Sequence, residues 1–195
     1  FPNACTGSFV DWEPIDTYIV RAADVRKVRP ASSKDSLEQK DKMLAGEAVQ
    51  FLTQQNPHAV FVYFGQVDEV GHRDGFHPSV PSYLQAIQTV DVHIASLIGA
   101  IQSRPDHVQE NWLIIISTDH GGRGRKHRGG HDVPEIVTTF LVVSGKDSMK
   151  GEIEEPSYIV DVPVIALTHL GVPIEGAWQL DGKAVGVRQE FRNNQ

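Results

Sequence analysis

Asp68 and His72 lie just beyond an apolar run at 59–64, and Asp119 and His120 end another, Ile114-Ile-Ile-Ser-Thr. Each pair offers a carboxylate oxygen and an imidazole nitrogen, a donor set that suits zinc and is also accepted by manganese or iron. Neighbours along a strand face opposite ways, so Asp119 and His120 can converge only past its end, where Gly121 and Gly122 free the backbone. Gly71 reads the same way, as the residue that lets a close turn aim Asp68 and His72 at one point. Two strands that each deliver an Asp and a His could hold one metal or two neighbouring ones. A catalytic zinc usually keeps three protein ligands and an open position, and either His127 or His131 could complete such a set with Asp68 and His72. Both sit in the run Arg123-Gly-Arg-Lys-His-Arg-Gly-Gly-His, whose Arg123 and Arg125 could attract an anionic substrate. His77, beside Pro78, is the remaining histidine close to these loops. Neither a Ser-His-Asp order nor a Gly-rich phosphate loop is legible, and Cys5 has no partner motif.

The elements that must position these side chains are read from pattern. The β-rich stretch 16–20 predicts a short strand. A polar linker over 30–36 leads to Ser36, which is placed to cap a helix over 37–55, stopped by Asn56-Pro57. The run 59–64 lacks alternation, as buried parallel strands do. A loop over 65–79 carries Asp68 and His72. A long helix over 82–103 follows, with Leu84, Ile87, Val90, Ile94, Leu97, Ile98 and Ile101 on one stripe. Strands are expected over 112–117 and 137–143, a helix over 161–171, and a hairpin or loop over 178–186. Strands alternating with helices imply an α/β fold, a largely parallel sheet with flanking helices. Ligands in such sheets bind beyond the carboxyl ends of the strands, where both Asp/His pairs lie.

The chain has 195 residues, enough for a single domain with a sizeable core, and its hydrophobic content of 40% is that of a globular fold. A net charge of −7 argues against a broad nucleic-acid footprint. One cysteine excludes an internal disulfide framework. No uninterrupted apolar run of membrane-spanning length is present, so no membrane span is expected.

The order strand, D-x-x-G-H, long helix, strand, T-D-H-G-G and then a further His resembles the alkaline phosphatase superfamily. It is most similar to the type I phosphodiesterase/nucleotide pyrophosphatase branch. The sharpest stretches are 64–76 with Tyr83-Leu84, and 115–122. The helix over 161–171, followed by Trp178-Gln-Leu-Asp-Gly, is also in the family's manner. The resemblance implies two zinc ions around a Thr or Ser nucleophile. Asp68 and His72 would ligate the first, joined by His127 or, alternatively, His131, and Asp119 and His120 would ligate the second. It also implies an Asp at the end of a first strand and a nucleophile, both expected upstream of Phe1. Thr6 is a nucleophile candidate only by default, and the resemblance of Phe1-Pro2-Asn3 to a triplet after the nucleophile is not continued by the next residues. The chain is thus expected to be the C-terminal portion of a larger catalytic domain. It would lack the N-terminal strand segment and be inactive when isolated. The implied reaction is hydrolysis of a small anionic phosphate ester, of phosphodiester or nucleotide pyrophosphate type, in an exported protein. The alternatives are another superfamily activity (phosphomonoesterase, phosphonate or sulfate hydrolase, phosphomutase) or a non-catalytic binding module.

Overall fold

Ser36 starts the first helix, α1 (Leu37–Gln54), through a reciprocal pair of bonds: its hydroxyl accepts the Gln39 amide at 3.2 Å, and its own amide donates to Gln39 Oε1 at 2.9 Å. The far end of α1 exposes carbonyls with no helical partner, and a buried arginine meets them. Arg104 donates to the carbonyls of Leu52 and Gln55 and to Asn56 Oδ1. Between these ends Leu44, Ala48 and Phe51 bury one face against Phe9, whose ring lies 5.6 Å from that of Phe51.

The computed structural model describes residues 3–29, 32, 34–188 and 190. Phe1, Pro2 and part of the polar linker read over 30–36 therefore lie outside the described residues. The chain divides into two compact units, one of residues 1–107 with 123–126, the other of residues 108–122 with 127–195.

The first unit holds β1 (Thr6–Val10), β2 (Val25–Val28) and β3 (Ala59–Tyr63) in a parallel sheet of order β2-β1-β3. Gly7 pairs with both Val25 and Val60, and Val10 with both Val28 and Tyr63. Beside α1 it contains α2 (Gln66–Asp74) and α3 (Pro81–Gln102), which pack on one another. By length and composition α3 could cross a membrane, with a mean hydropathy of 1.3 over its most apolar window, and it packs against α1 and α2. The second unit holds β4 (Leu113–Ser117), α4 (Pro134–Val137), β5 (Leu141–Gly145) and α5 (Asp161–His169). Ile165, Val185 and Val187 form its core with Leu113, Ile115, Leu141 and Val143.

The α/β reading, a parallel sheet with flanking helices, holds in the first unit. Several local expectations do not. Residues 16–20 are not a strand but part of a π-helical turn, Ile15–Ile19, in which Asp16 is buried and ion-paired with Arg26. The strand lies earlier, in Thr-Gly-Ser-Phe-Val, where Gly and Ser weaken the local β signal and sheet pairing overrides it. Residues 66–74 form α2 rather than a loop. Pro134 opens the short α4, so the strand expected over 137–143 begins only at Leu141. It pairs with β4 antiparallel, Leu113 opposite Gly145 and Ser117 opposite Leu141. The expectation of a hairpin or loop over 178–186 does hold: the stretch is a loop that follows a short 3-10 turn, Gly176–Trp178.

Replacing Arg104 by Met removes the cap of α1 while keeping most of the side-chain volume. The carbonyls it leaves unpaired should cost about 2–4 kcal/mol. Urea unfolding would show this as a lower midpoint with an unchanged slope, and a wild-type midpoint would contradict the role assigned to Arg104.

Candidate functional site

In the first unit the site begins where the chain leaves β3. The Gly65 amide donates to Asp11 Oδ2 at 3.1 Å, and the Gln66 amide donates to Asp41 Oδ2 at 3.1 Å. Gly65 has no side chain to cap α2, so these two carboxyls, one following β1 and one in α1, hold the helix start. The other end is tied to α3, because the Ser82 hydroxyl donates to Asp74 Oδ2 at 2.7 Å. The Arg73 guanidinium, and then that hydroxyl, hold the Asp74 carboxyl down at about 2.

Asp68 and His72 stand one turn apart on α2 and therefore share a face. His72 Nε2 lies 3.5 Å from Asp68 Oδ2, and His72 Nδ1 lies 2.9 Å from the Arg125 carbonyl. A carbonyl can only accept, so Nδ1 carries a hydrogen, and in the neutral ring the lone pair is on Nε2, the nitrogen that faces the carboxylate. Two ligands on one tetrahedral zinc, each about 2 Å from it, stand roughly 3.3 Å apart. The pair therefore has close to the separation of two ligands on one ion. Phe76 packs edge-on against His72, with ring centroids 5.3 Å apart, and Tyr83 packs against Phe76 at 5.7 Å. Burial, and then the Asp68 charge, push the Tyr83 phenol up. Gly71 serves this packing and not a turn: it is helical, and a Cβ there would collide with the Phe76 ring.

In the second unit Asp119 and His120 follow β4. His120 repeats the logic of His72. Its Nδ1 lies 2.8 Å from the Gly121 carbonyl, so Nδ1 again carries the hydrogen, and Nε2 faces Asp119 Oδ2 at 3.7 Å. The His127 ring stacks on that of His120 at 4.0 Å. His131 lies exposed in a 3-10 turn, Gly130–Asp132. Gly121 is required by close approach, since a Cβ would meet the Glu135 carbonyl, and its amide donates to Ile136 at 2.8 Å.

His58 and His77 use their nitrogens differently, and His169 has the carboxylate and carbonyl partners with the two nitrogens exchanged. His58 Nδ1 accepts the Cys5 amide at 3.0 Å and His77 Nδ1 accepts the Ser79 amide at 3.1 Å, so both serve local turns and strand ends. His169 is held between Asp147 and the Asn111 carbonyl, at 3.0 and 2.9 Å. The Thr6 hydroxyl donates to Asp24 Oδ2 at 2.7 Å and accepts the Asp24 amide at 3.0 Å. That tie, at the amino end of β1, occupies the hydroxyl structurally. Arg123 and Arg125 are exposed in a tight turn closed by the Arg123–Lys126 bridge, and the Arg125 charge acts on Asp74.

The sequence reading missed Asp11 and Asp41. Burial pushes the Asp11 carboxyl up to about 6; burial, and then the Asp11 charge, push that of Asp41 up to about 8. Asp11 stands at the end of Ser-Phe-Val, the same strand-then-Asp signal as Asp119, but it was hidden by the misplaced strand. Asp41 has no sequence signal beyond being an acidic residue on the apolar side of a helix.

Gly71→Ala gains helix propensity but forces the Phe76 ring off its seat, a net loss of about 1–2 kcal/mol. Thermal unfolding checks the sign. A stabilised variant would contradict the packing role.

No curated protein matches this chain. The family model for type I phosphodiesterase / nucleotide pyrophosphatase matches residues 6–150, which include Asp68, His72, Asp119, His120, His127 and His131. The ending at 161–182, part of the resemblance in sequence, lies beyond the matched stretch. With three quarters of its length matched, the chain belongs to the type I phosphodiesterase/nucleotide pyrophosphatase family of the alkaline phosphatase superfamily, whose members broadly hydrolyse phosphodiester and pyrophosphate bonds.

Proposed function

We propose that this chain contributes the metal ligands of a phosphodiester or nucleotide-pyrophosphate hydrolase. Asp68 and His72 in the first unit, and Asp119, His120 and His127 in the second, are the residues assigned to zinc. The observation that carries this reading is the common tautomer of His72 and His120. In each, Nδ1 donates to a backbone carbonyl, which leaves Nε2 as the nitrogen facing a carboxylate oxygen. A neutral ring anchored in this way offers its Nε2 lone pair and the neighbouring carboxylate oxygen to one cation, and outer-sphere anchoring of Nδ1 is the usual arrangement of a ligating histidine. Zinc bound there would polarise a phosphoryl oxygen and stabilise attacking and leaving oxygens. The chain's own residues hold and orient: α2 presents Asp68 and His72 on one face, and the exposed Arg123 and Arg125 draw in a small anionic ester.

The test is zinc binding after chelator treatment, together with hydrolysis of bis-nitrophenyl phosphate and of nitrophenyl phosphate by the protein extended upstream to include the expected nucleophile. The diester should be the better substrate, and activity should return with zinc. Asp68→Ala and Asp119→Ala should each weaken zinc binding by at least about 100-fold, more than the loss typical of an outer-sphere partner. Wild-type zinc affinity in both variants would refute the assignment, and a preference for the monoester would move the substrate to another class of the superfamily.

A further inference from the structure

The carboxyls of Asp11 and Asp41 meet where β3 passes into α2, and neither is placed among the proposed zinc ligands. Asp41 is fully buried. Each gives its Oδ2 to a backbone amide, of Gly65 and Gln66 respectively. The remaining oxygens, Asp11 Oδ1 and Asp41 Oδ1, are sealed from solvent and meet no other hydrogen-bond donor. The two carboxyls accept successive amides at the start of one helix, so they lie side by side, and each acts on the proton affinity of the other. Two buried carboxylates side by side repel one another, and a proton shared between their unpartnered oxygens relieves that repulsion.

The charges around the pair leave room for one. Lys40, buried beside Asp41 on α1, is the cation that acts on Asp11. Arg29 is taken by Glu47 on the same helix, and Arg26 by Asp16. The first turn of α2 adds Asp68 and Glu69, both of the same sign as the pair. One cation against two carboxylates and an acidic helix turn favours retention of a proton.

We propose that Asp11 and Asp41 share one proton at neutral pH, and that this protonated pair is a clamp positioning the start of α2. Its effect on metal binding rests on the reading of Asp68 and His72 as ligands, since these stand on that helix. Asp11 and Asp41 are positioning residues that act through the start of α2. Because burial raises both carboxyls above the ordinary aspartate value of about 3.9, the folded state holds protons that the unfolded chain has released. The stability they contribute is fully present below about pH 4 and is lost as pH rises through about 6 and about 8. Above that range two anions face one another, and the helix start they hold is pushed open.

Asp41→Asn isolates this effect. The amide oxygen still accepts the Gln66 amide, and the amide hydrogen donates to Asp11 in place of the shared proton. The experiment is hydrogen exchange at the Gly65 and Gln66 amides between pH 7 and 9, corrected for intrinsic rates. Wild-type protection should fall by about tenfold or more, as a titration within this window requires, while Asp41→Asn stays flat. Asp41→Asn should also unfold at a higher temperature than wild type at pH 9. Flat wild-type protection, or an equal fall in the variant, would overturn the clamp. If Asp41→Asn fails to fold, Asp11→Asn makes the same substitution on the other partner and carries the same expectations. Chelator-buffered zinc binding over the same pH range separates the two claims. Wild-type affinity should fall relative to the variant as protection falls, whereas a constant ratio with falling protection would overturn the link from the clamp to zinc while keeping the clamp.

Discussion

A helix that starts at the end of a parallel strand presents amides that need acceptors, and in this chain the acceptors are Asp11 and Asp41. Much of the first unit's chemistry follows from that constraint. The parallel pairing of β1 with β3 brings the ends of the two strands side by side, so the residue after Val10 can reach the residue after Phe64. The packing of α1 on the sheet brings the second carboxyl to the same point. With its first turn held there and its last turn tied to α3 through Asp74 and Ser82, α2 has little freedom to rotate. Asp68 and His72 therefore share a fixed face, with the Phe76 and Tyr83 rings behind them.

A second regularity concerns what a histidine does with its two nitrogens. His58 and His77 spend Nδ1 as an acceptor of a backbone amide, and His169 is enclosed between an Asp and a carbonyl. His72 and His120 instead donate Nδ1 to a carbonyl and keep Nε2 against a carboxylate. Residue type and spacing alone do not separate these groups. The partner of Nδ1 does, because it decides which nitrogen carries a lone pair.

The uneven legibility of the sequence has a matching physical cause. The long amphipathic helices and the run 59–63 were readable because many residues repeat one signal. So was Ser36, whose cap depends on residues only three apart. The Asp/His pairs were legible as types, but their setting was not. Residues 66–74 carry glycine and charge and resemble a loop, yet form a helix whose start is fixed by carboxyls 54 and 25 positions away. Gly71 and Gly121 looked like backbone hinges, but each is glycine because of a neighbour distant in sequence or packed in space: the Phe76 ring for one, the Glu135 carbonyl for the other. Long-range pairing likewise made a strand of Thr-Gly-Ser-Phe-Val and left Asp16 to a π-helical turn.

The central claim is that His72 and His120 hold their Nε2 lone pairs ready for a metal. Long-range proton–nitrogen NMR of the imidazole rings tests it most directly, first without metal and then with zinc added stepwise. The metal-free protein should show hydrogen on Nδ1 of both rings, followed by zinc-induced shifts at Nε2 of both. Hydrogen on Nε2, or zinc shifts confined to other histidines, would contradict it.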